Sequence, residues 1–385
     1  MQRTAYAPQN CPLSSREMAR IALNARLLVA NRLEGIGWFT YECFRRIIAE
    51  HPEHEFRLLF DRPPHPEFDW GENASSVRLW PPARRPFLYD WWFDRSVARE
   101  LNKWRADAFV STDGMLCRRT SVPQLAVFHD LNFMHHPEWM PSREARYYRT
   151  RFPEFAKRAE RVATVSQFSK EDIAVQFGIA SSKIDVVYNA PSEMYRSSTK
   201  LEAMEAEQHF AQGSPYFIFV GSLHPRKNMK GLLEAFRLYR NSGGINHLVV
   251  VGGSMWKGEQ VKADSVHFVG RLGRDELPMA MAGSQGLVFV PWFEGFGVPI
   301  VEAFASGVPV IASNATAMPE VCSGAAATLV DPGDAAQIAD AMMKLERDPV
   351  LRADAIERGL IRAQDFSWEH SADALWKSIM HILPQ

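Results

Sequence analysis

The stretch PWFEGFGVPIVEAFASGVPVIAS, residues 291–313, places a glycine turn between two apolar runs. Gly295 and Gly297 let the backbone bend sharply and approach a ligand closely, and Pro299 suits the first turn of a helix. The free N–H groups at the start of such a helix favour a bound anion. The stretch therefore predicts a strand, an anion-binding turn, a helix and a second strand, which is the repeating unit of an α/β domain.

Two glutamates flank the turn. Glu294 stands before the glycines, and Glu302 is predicted in the first turn of the helix. We expect them to accept hydrogen bonds from hydroxyls at opposite ends of a ligand whose anionic middle lies at the turn. The alternative is that Glu302 only stabilises the helix dipole and Glu294 faces solvent.

Apolar runs alternate with amphipathic stretches on both sides of this unit. In the first half, the strand candidates are IALNARLLV (21–29), EFRLLF (55–60), AFVST (108–112), QLAVFHD (124–130), RVATVS (161–166) and KIDVVYN (183–189). In the second half, they are YFIFVGS (216–222), HLVVVGG (247–253), SVHFVG (265–270), GLVFVP (286–291), PVIAS (309–313) and ATLV (327–330). The pattern predicts two doubly wound, Rossmann-like parallel sheets.

The β pattern lapses between residues 193 and 214, and this lapse divides the chain. At 385 residues the chain exceeds the usual size of one domain. We predict an N-terminal domain over 1–192, a linker over 193–214, a C-terminal domain over 215–365 and a terminal helix over 366–385.

A pair of cations follows the first strand of the second half. In GSLHPRKN (221–228), Arg226 and Lys227 lie side by side, and Gly221 opens the loop. Ligands bind at the carboxyl ends of the strands in such sheets, where adjacent cations can clamp a diphosphate. The alternative is a solvated basic turn, and the glycine turn nearby favours the clamp.

The first half also offers polar candidates at strand ends. His129 ends a predicted strand, and Asp130 is predicted to orient its ring. His135, His136 and Trp139 follow as candidates for contact with an acceptor. One helix start is marked in the sequence: Ser169 is predicted as its N-cap, with Asp172 three residues on and Gly178 at its end.

Composition limits the classes of partner. A formal net charge of −1 gives no reason to expect nucleic acid. The four cysteines have no metal-ligand spacing, which favours a reduced compartment. The N-terminal residues 1–20 lack a signal-peptide core, and no apolar run reaches the length of a membrane span. We predict a cytoplasmic protein that is at most peripheral at the inner membrane face.

The segment RRPFLYDWWFDRSVARELNKW (84–104) interleaves aromatic and basic residues. Such a segment can dock on an anionic membrane or stack on an acceptor sugar. The alternative is a helix that buries its aromatic side chains in the first domain.

Taken together, these motifs resemble those of the retaining nucleotide-sugar glycosyltransferases of the GT-B fold, specifically glycosyltransferase family 4. The resemblance rests first on EGFGVPIVE (294–302), which matches the family's E-x7-E pattern, and on RKN (226–228). It rests also on the runs LEAFASGVPVIAS, FHDLNF and TVSQFSKEDI. It begins near residue 20 and covers nearly the whole chain. It implies two Rossmann-like domains facing a central cleft, with a terminal helix that crosses back to the first domain.

The resemblance also implies roles for the second half. Glu302 binds the nucleotide ribose and Glu294 binds the donor sugar, while Arg226 and Lys227 stabilise the diphosphate. Backbone N–H groups of residues 296–298, which are Phe296, Gly297 and Val298, face the donor.

Further roles follow for the loops around the cleft. His129 lines the cleft near the transferred sugar, and Arg271 and Leu272 lie where the base is held. Gly35 and Gly37 match a glycine loop that closes on the phosphates. The turn EGIGWF departs from the family here, because it has no adjacent glycine pair.

The implied reaction is transfer of a hexosyl unit from a nucleoside-diphosphate sugar to a hydroxyl of a glycan or lipid-linked glycan, with retention at the anomeric carbon. We expect no cofactor and no metal site, since no DxD motif is placed to hold one. The bacterial polysaccharide and lipopolysaccharide members of the family make GDP-mannose the first expected donor and a UDP-sugar the next.

Other classes of protein also have this arrangement of two domains. A nucleotide-sugar epimerase or a phosphorylase has two such domains, although no lysine is marked for a pyridoxal phosphate Schiff base. A non-catalytic scaffold that binds nucleotide sugar is a rival of another class. We would expect such a scaffold to have lost Glu294, Arg226 or Lys227, and all three residues are present.

Overall fold

A computed structural model describes residues 18–83, 85–253 and 265–384. The expectations for Cys11 and for most of the N-terminal stretch 1–20 lie outside these residues, as does Arg84 of the segment 84–104. Within the described ranges, no helix is both long enough and apolar enough to cross a membrane.

The first half forms a parallel sheet of seven strands. Its strands are β1 (Arg20–Asn24), β2 (Glu55–Phe60), β3 (Ala74–Arg78), β4 (Ala108–Ser111), β5 (Gln124–Phe128), β6 (Arg161–Thr164) and β7 (Ile184–Val186). They lie in the order β3-β2-β1-β4-β5-β6-β7, so the direction of winding reverses between β1 and β4. β3 was not predicted from the sequence, because ASSVR, an edge strand, has no apolar run.

The second half forms a parallel sheet of six strands. Its strands are β8 (Tyr216–Val220), β9 (His247–Val251), β10 (Val266–Gly270), β11 (Gly286–Phe289), β12 (Val310–Ser313) and β13 (Thr328–Val330). They lie in the order β10-β9-β8-β11-β12-β13. The reversal falls between β8 and β11, so the loops with the cation pair and the glycine turn leave neighbouring strands.

Helices cover both sheets. They are α1 (Gly35–Glu50), α2 (Pro86–Trp91), α3 (Ala98–Trp104), α4 (Asn132–His135), α5 (Ser142–Arg158), α6 (Gln167–Phe177), α7 (Lys200–Ala211), α8 (Met229–Asn241), α9 (Glu276–Ala282), α10 (Val298–Ala305), α11 (Met318–Cys322), α12 (Ala335–Arg347), α13 (Pro349–Ala363) and α14 (Trp368–Met380). A π-helical stretch, Trp92–Val97, joins α2 to α3.

Successive residues of β1 show how the first sheet is covered. Ile21 and Leu23 pack in one apolar core, whereas Ala22 between them packs in a second core on the opposite face. β1 is therefore buried on both sides, which explains why the inner strands of the sheet have continuous apolar sequences. The predicted fold of two doubly wound parallel sheets is confirmed.

The terminal helix α14 lies on the first domain. Glu369 pairs with Arg46 of α1 at 2.8 Å, and the Trp376 ring stacks on His51 with 3.8 Å between centroids. Ser378 Oγ donates to an Asp185 carboxylate oxygen at 2.8 Å. The last helix thus joins the end of the second half to the outer face of the first.

Two local predictions were wrong. The N-cap of α6 is Ser166, whose hydroxyl accepts from Ser169 N, so the helix begins three residues earlier than Ser169 suggested. Gly178 does end this helix, in the left-handed conformation. In the second half, Glu302 lies in the second turn of α10 rather than the first, because the helix already begins at Val298.

Candidate active site

The glycine turn and the cation pair meet at the carboxyl edge of the second sheet. Glu294 Oε1 lies 2.5 Å from Arg226 Nη1 and 2.5 Å from Lys227 Nζ. All three side chains are largely or fully buried, and the contacts are close ion pairs rather than well-directed hydrogen bonds. Two cations around one carboxylate leave a net positive charge, which suits an anionic ligand.

Burial and mutual attraction set the charges of this cluster. Burial raises the pKa of Glu294, but the charges of Arg226 and Lys227 outweigh it, so that the pKa lies below its ordinary value. Burial lowers the pKa of Lys227, Glu294 opposes the effect, and Arg226 adds to it. Burial lowers the pKa of Arg226 too, yet Glu294 and Asp130 reverse the effect and raise it.

The loop that carries the cations is braced from several sides. Asn228 adopts a left-handed conformation, and its amide donates to the carbonyls of Val290 and Pro332 at 3.1 and 2.7 Å. The Lys227 ammonium lies over the Phe289 ring, 4.8 Å from its centroid. The structural role of Asn228 was not predicted from the sequence, although asparagine is one of the few residues besides glycine that readily take this conformation.

The glycine turn touches the first domain. A Cβ on Gly295 would lie 1.9 Å from the His129 carbonyl oxygen and 3.0 Å from Asp130 Cβ. Gly297 has φ +90° and directly precedes α10, and a Cβ there would lie 2.8 Å from Met318 Cε. The carboxyl ends of β5 and β11 therefore face each other across one cleft.

His129 lies in this cleft with a fixed ring. Its Nε2 lies 2.9 Å from the Thr112 carbonyl, which can only accept, so Nε2 carries the proton and Nδ1 is an acceptor. Burial lowers its pKa, which the Thr112 hydrogen bond opposes. The prediction that Asp130 orients the ring was wrong, because Asp130 instead accepts from Asn132.

The predicted acceptor-side residues lie against the loops of the second domain. His135 Nε2 pairs with Asp172 at 2.8 Å, and its ring is 5.2 Å from that of Phe293. His136 stacks on Trp139 at 3.8 Å. The Trp139 carbonyl accepts from His224 Nε2 at 2.8 Å, which ties the cation loop to the first domain. His224 carried no signal in the sequence.

Two further contacts join the segment after β10 to the start of α1. Arg271 Nη2 lies 3.2 Å from a Glu34 carboxylate oxygen, and Arg274 lies over the Trp38 ring at 5.3 Å. Leu272 packs partly against the main apolar core. Gly35 and Gly37 were predicted in a loop but lie in the first turn of α1.

The remaining predicted residues support the donor turn. Phe296 is buried against Tyr188 and Phe366, with ring centroids 5.9 and 5.5 Å apart. Val298 begins α10, so its N–H is one of those without an intrahelical acceptor. Gly221 directly follows β8 with φ +156°, and a Cβ added there would lie 3.5 Å from the Lys227 side chain.

Comparisons with known proteins identify the family. A family model described as Glycosyl transferases group 1 matches residues 202–362, and one described as Glycosyltransferase Family 4 matches residues 34–190. The chain is a GT-B glycosyltransferase of family 4. The family predicted from the sequence motifs is confirmed.

Two relatives of this glycosyltransferase are mannosyltransferases of enteric bacteria. O-antigen chain mannosyltransferase B of Escherichia coli is 29% identical over 88% of this chain and 93% of its own length. O-antigen chain mannosyltransferase RfbU of Salmonella typhimurium is 29% identical over 61% of this chain and 63% of its own length. Among solved structures, Anabaena HepE in complex with UDP and glucose superposes with a TM-score of 0.71 at 17% identity, over 94% of this chain and 99% of that one.

The glycosyltransferase holds Glu302 in an unusual environment. Burial raises its pKa to about 7, and a hydrogen bond from Tyr195 opposes the rise. The ordinary pKa of a glutamate is about 4.3 in an unfolded chain. Its contribution to stability is therefore fully present below about pH 4.3 and is lost as the pH rises through 7.

We expect Glu302→Gln to show this loss directly. Glutamine stays neutral, so the unfolding free energy of the variant should rise relative to that of the wild type by about 2–3 kcal/mol between pH 5 and pH 8. Thermal melting of both proteins at the two pH values measures the gain. If the difference in unfolding free energy between the variant and the wild type stays constant or shrinks over this range, Glu302 is already charged at pH 5.

Proposed function

We propose that this glycosyltransferase moves a mannosyl unit from GDP-mannose to a hydroxyl of a lipid-linked glycan, with retention at the anomeric carbon. The observation that carries the proposal is the cluster of Arg226, Lys227 and Glu294, which faces His129 across the cleft. The mannosyl donor is proposed because the relatives in Escherichia coli and Salmonella typhimurium are named O-antigen chain mannosyltransferases.

In this proposal, the donor lies along the carboxyl edge of the second sheet. Glu302 accepts hydrogen bonds from the ribose, and the base lies near Arg271 and Leu272. The diphosphate meets Arg226, Lys227 and the N–H groups of residues 296–298, with Gly35 and Gly37 approaching from the first domain. Glu294 accepts from hydroxyls of the sugar.

The reaction requires charge to be stabilised on the leaving diphosphate. The bond from the anomeric carbon to the diphosphate oxygen breaks, and the acceptor oxygen bonds to the same face of that carbon. A departing diphosphate oxygen takes the acceptor proton. Arg226 and Lys227 are fixed before the reaction, so they stabilise this charge without reorganisation, and His129 Nδ1 holds a sugar hydroxyl.

A panel of nucleotides tests the donor. Bound ligand raises the melting temperature by mass action, by about 2.7 kcal/mol at one hundred times its Kd. We expect GDP and GDP-mannose to stabilise the protein, whereas UDP, dTDP and their sugars leave it unchanged. Stabilisation by UDP alone would overturn the mannosyl donor and favour a UDP-sugar.

A lipid-linked acceptor requires the enzyme to work at a membrane, and one face of the first domain suits that task. Phe87, Trp91 and Trp80 are 69%, 51% and 71% exposed. Arg95 lies over Trp91 at 4.5 Å. By contrast, Trp92 and Phe93 are buried, so the segment 84–104 both fills the core and presents aromatic side chains.

Arginines of α5 continue this face. Arg143, Arg146 and Arg149 are exposed. Tyr147 and Arg151 both bond to Asp90 of α2, at 2.8 and 2.9 Å, and so join the two helices. Exposed aromatic rings beside arginines favour the headgroup region of an anionic bilayer. We therefore propose peripheral docking of this face on the inner membrane.

Vesicle flotation tests the docking. We expect binding to phosphatidylglycerol-containing vesicles and little binding to pure phosphatidylcholine. Each of Arg143→Gln and Arg146→Gln should weaken it about fivefold, since one arginine near such a surface contributes about 1 kcal/mol. Val350→Ser, on an exposed apolar residue of α13, is the control. Equal binding to both vesicle types would contradict the proposal.

A further inference from the structure

The first turn of α6 lies against the glycine turn of the second domain. Ser169 Oγ donates to the Gly295 carbonyl at 3.3 Å. The rings of Phe168 and Phe293 are 5.9 Å apart. The start of this first-domain helix therefore contacts the same turn that approaches His129.

The Glu320 carboxylate, from the second domain, accepts hydrogen bonds from the start of this helix. Glu320 Oε1 accepts from Gln167 N at 2.7 Å, and its Oε2 accepts from Phe168 N at 2.9 Å. Tyr188 Oη donates to Oε1 at 3.0 Å. Arg362 donates to the Glu320 carbonyl at 3.0 Å, which holds the residue on its own domain.

The N–H groups of α6 account for this contact. Ser166, the N-cap, accepts from Ser169 N with its hydroxyl. The N–H groups of Gln167 and Phe168 come before that of Ser169 in the first turn, and they have no acceptor within the helix. A carboxylate suits them because the helix dipole is positive there and charge-assisted hydrogen bonds are the stronger kind.

We propose that Glu320 is a positioning residue for glycosyl transfer: it fastens the second domain to the start of α6 and so holds the glycine turn against His129. The inference rests on the proposed function for its catalytic consequence. The fastening itself is a property of the protein alone. Glu320 touches no residue of the cation cluster, so it acts through the position of residues 294–297.

Loss of this contact has a specific chemical consequence. A closed cleft excludes water from the anomeric carbon. If the domains separate more readily, water competes with the acceptor hydroxyl for the sugar. The ratio of donor hydrolysis to transfer therefore rises, which a merely structural defect would not cause.

The experiment compares Glu320→Ala and Glu320→Gln with Asp348→Ala. Asp348 is a matched control, because its carboxylate also accepts two N–H groups at a helix start, from Val350 and Leu351 at 3.0 and 2.9 Å, but within one domain. Tyr188→Phe removes one hydrogen bond to Glu320, and it replaces Glu320→Ala as the test variant if the alanine variant folds poorly.

Small-angle scattering of the unliganded proteins measures the fastening without any substrate. We expect a larger radius of gyration for Glu320→Ala and an intermediate one for Glu320→Gln, with Asp348→Ala unchanged. The ratio of hydrolysis to transfer should rise about tenfold in Glu320→Ala, the effect of losing charge-assisted hydrogen bonds. Unchanged scattering and an unchanged ratio would overturn the inference, whereas absence of transfer by the wild type would overturn the proposed function instead.

Discussion

Lys227→Ala is expected to lower kcat and kcat/KM for glycosyl transfer together, by about 10²–10³-fold, the loss typical of one fixed group that stabilises transition-state charge. Lys227 is buried, 2.5 Å from Glu294, in a loop that Asn228 braces. Its ammonium lies where the leaving diphosphate gains charge in the proposed reaction. Steady-state release of nucleoside diphosphate measures the effect.

Lys230→Ala is the matched control. Lys230 lies three residues on in α8 and is exposed. It should keep the wild-type rate, because an exposed cation outside the cleft does not touch the donor. Circular dichroism of both variants separates a loss of catalysis from a loss of fold. Equal rates for Lys227→Ala and Lys230→Ala would contradict the proposed role of the cation cluster.

Gly295→Ala is expected to reduce transfer by about 10²-fold or more, since a displacement of about 1 Å at a reacting centre can cost that much. The new Cβ would lie 1.9 Å from the His129 carbonyl oxygen, so one domain must move away from the other. The change neither adds nor removes a charge, so it tests the geometry of the cleft rather than the charges of the cation cluster.

The control for this substitution is Gly253→Ala. There the added Cβ meets no atom within 4 Å among the described residues. Scattering from unliganded Gly295→Ala should show a larger radius of gyration than that of the wild type, and the Gly253 variant should not. A fully active Gly295→Ala would show that the glycine turn does not need its contact with the first domain.

Much of the second half was predictable from the sequence, for a physical reason. GSLHPRKN and PWFEGFGVP each follow a long apolar run, and such runs form buried parallel strands. Because ligand loops gather at the reversal point of the sheet, here between β8 and β11, the two motifs were expected to meet. Arg226, Lys227 and Glu294 do meet there.

The contacts between the halves could not be predicted in this way. His224 and Glu320 act through distant partners, and no spacing in the sequence marks which part of the other domain they reach. The partner of His129 was mistaken for the same reason: its neighbour Asp130 turns to Asn132, while a carbonyl from the adjacent strand end orients the ring. Edge strand β3 was missed because its exposed face removes the apolar pattern.

The most direct test of the central claim is incubation of the purified protein with GDP-mannose labelled in the sugar and a lipid-linked glycan acceptor presented in anionic vesicles. We expect release of GDP that depends on the acceptor, with the label in the lipid fraction and the α-configuration of the donor retained in the product by NMR. Release of no nucleoside diphosphate from any donor and acceptor mixture, or an inverted β-linked product, would contradict it.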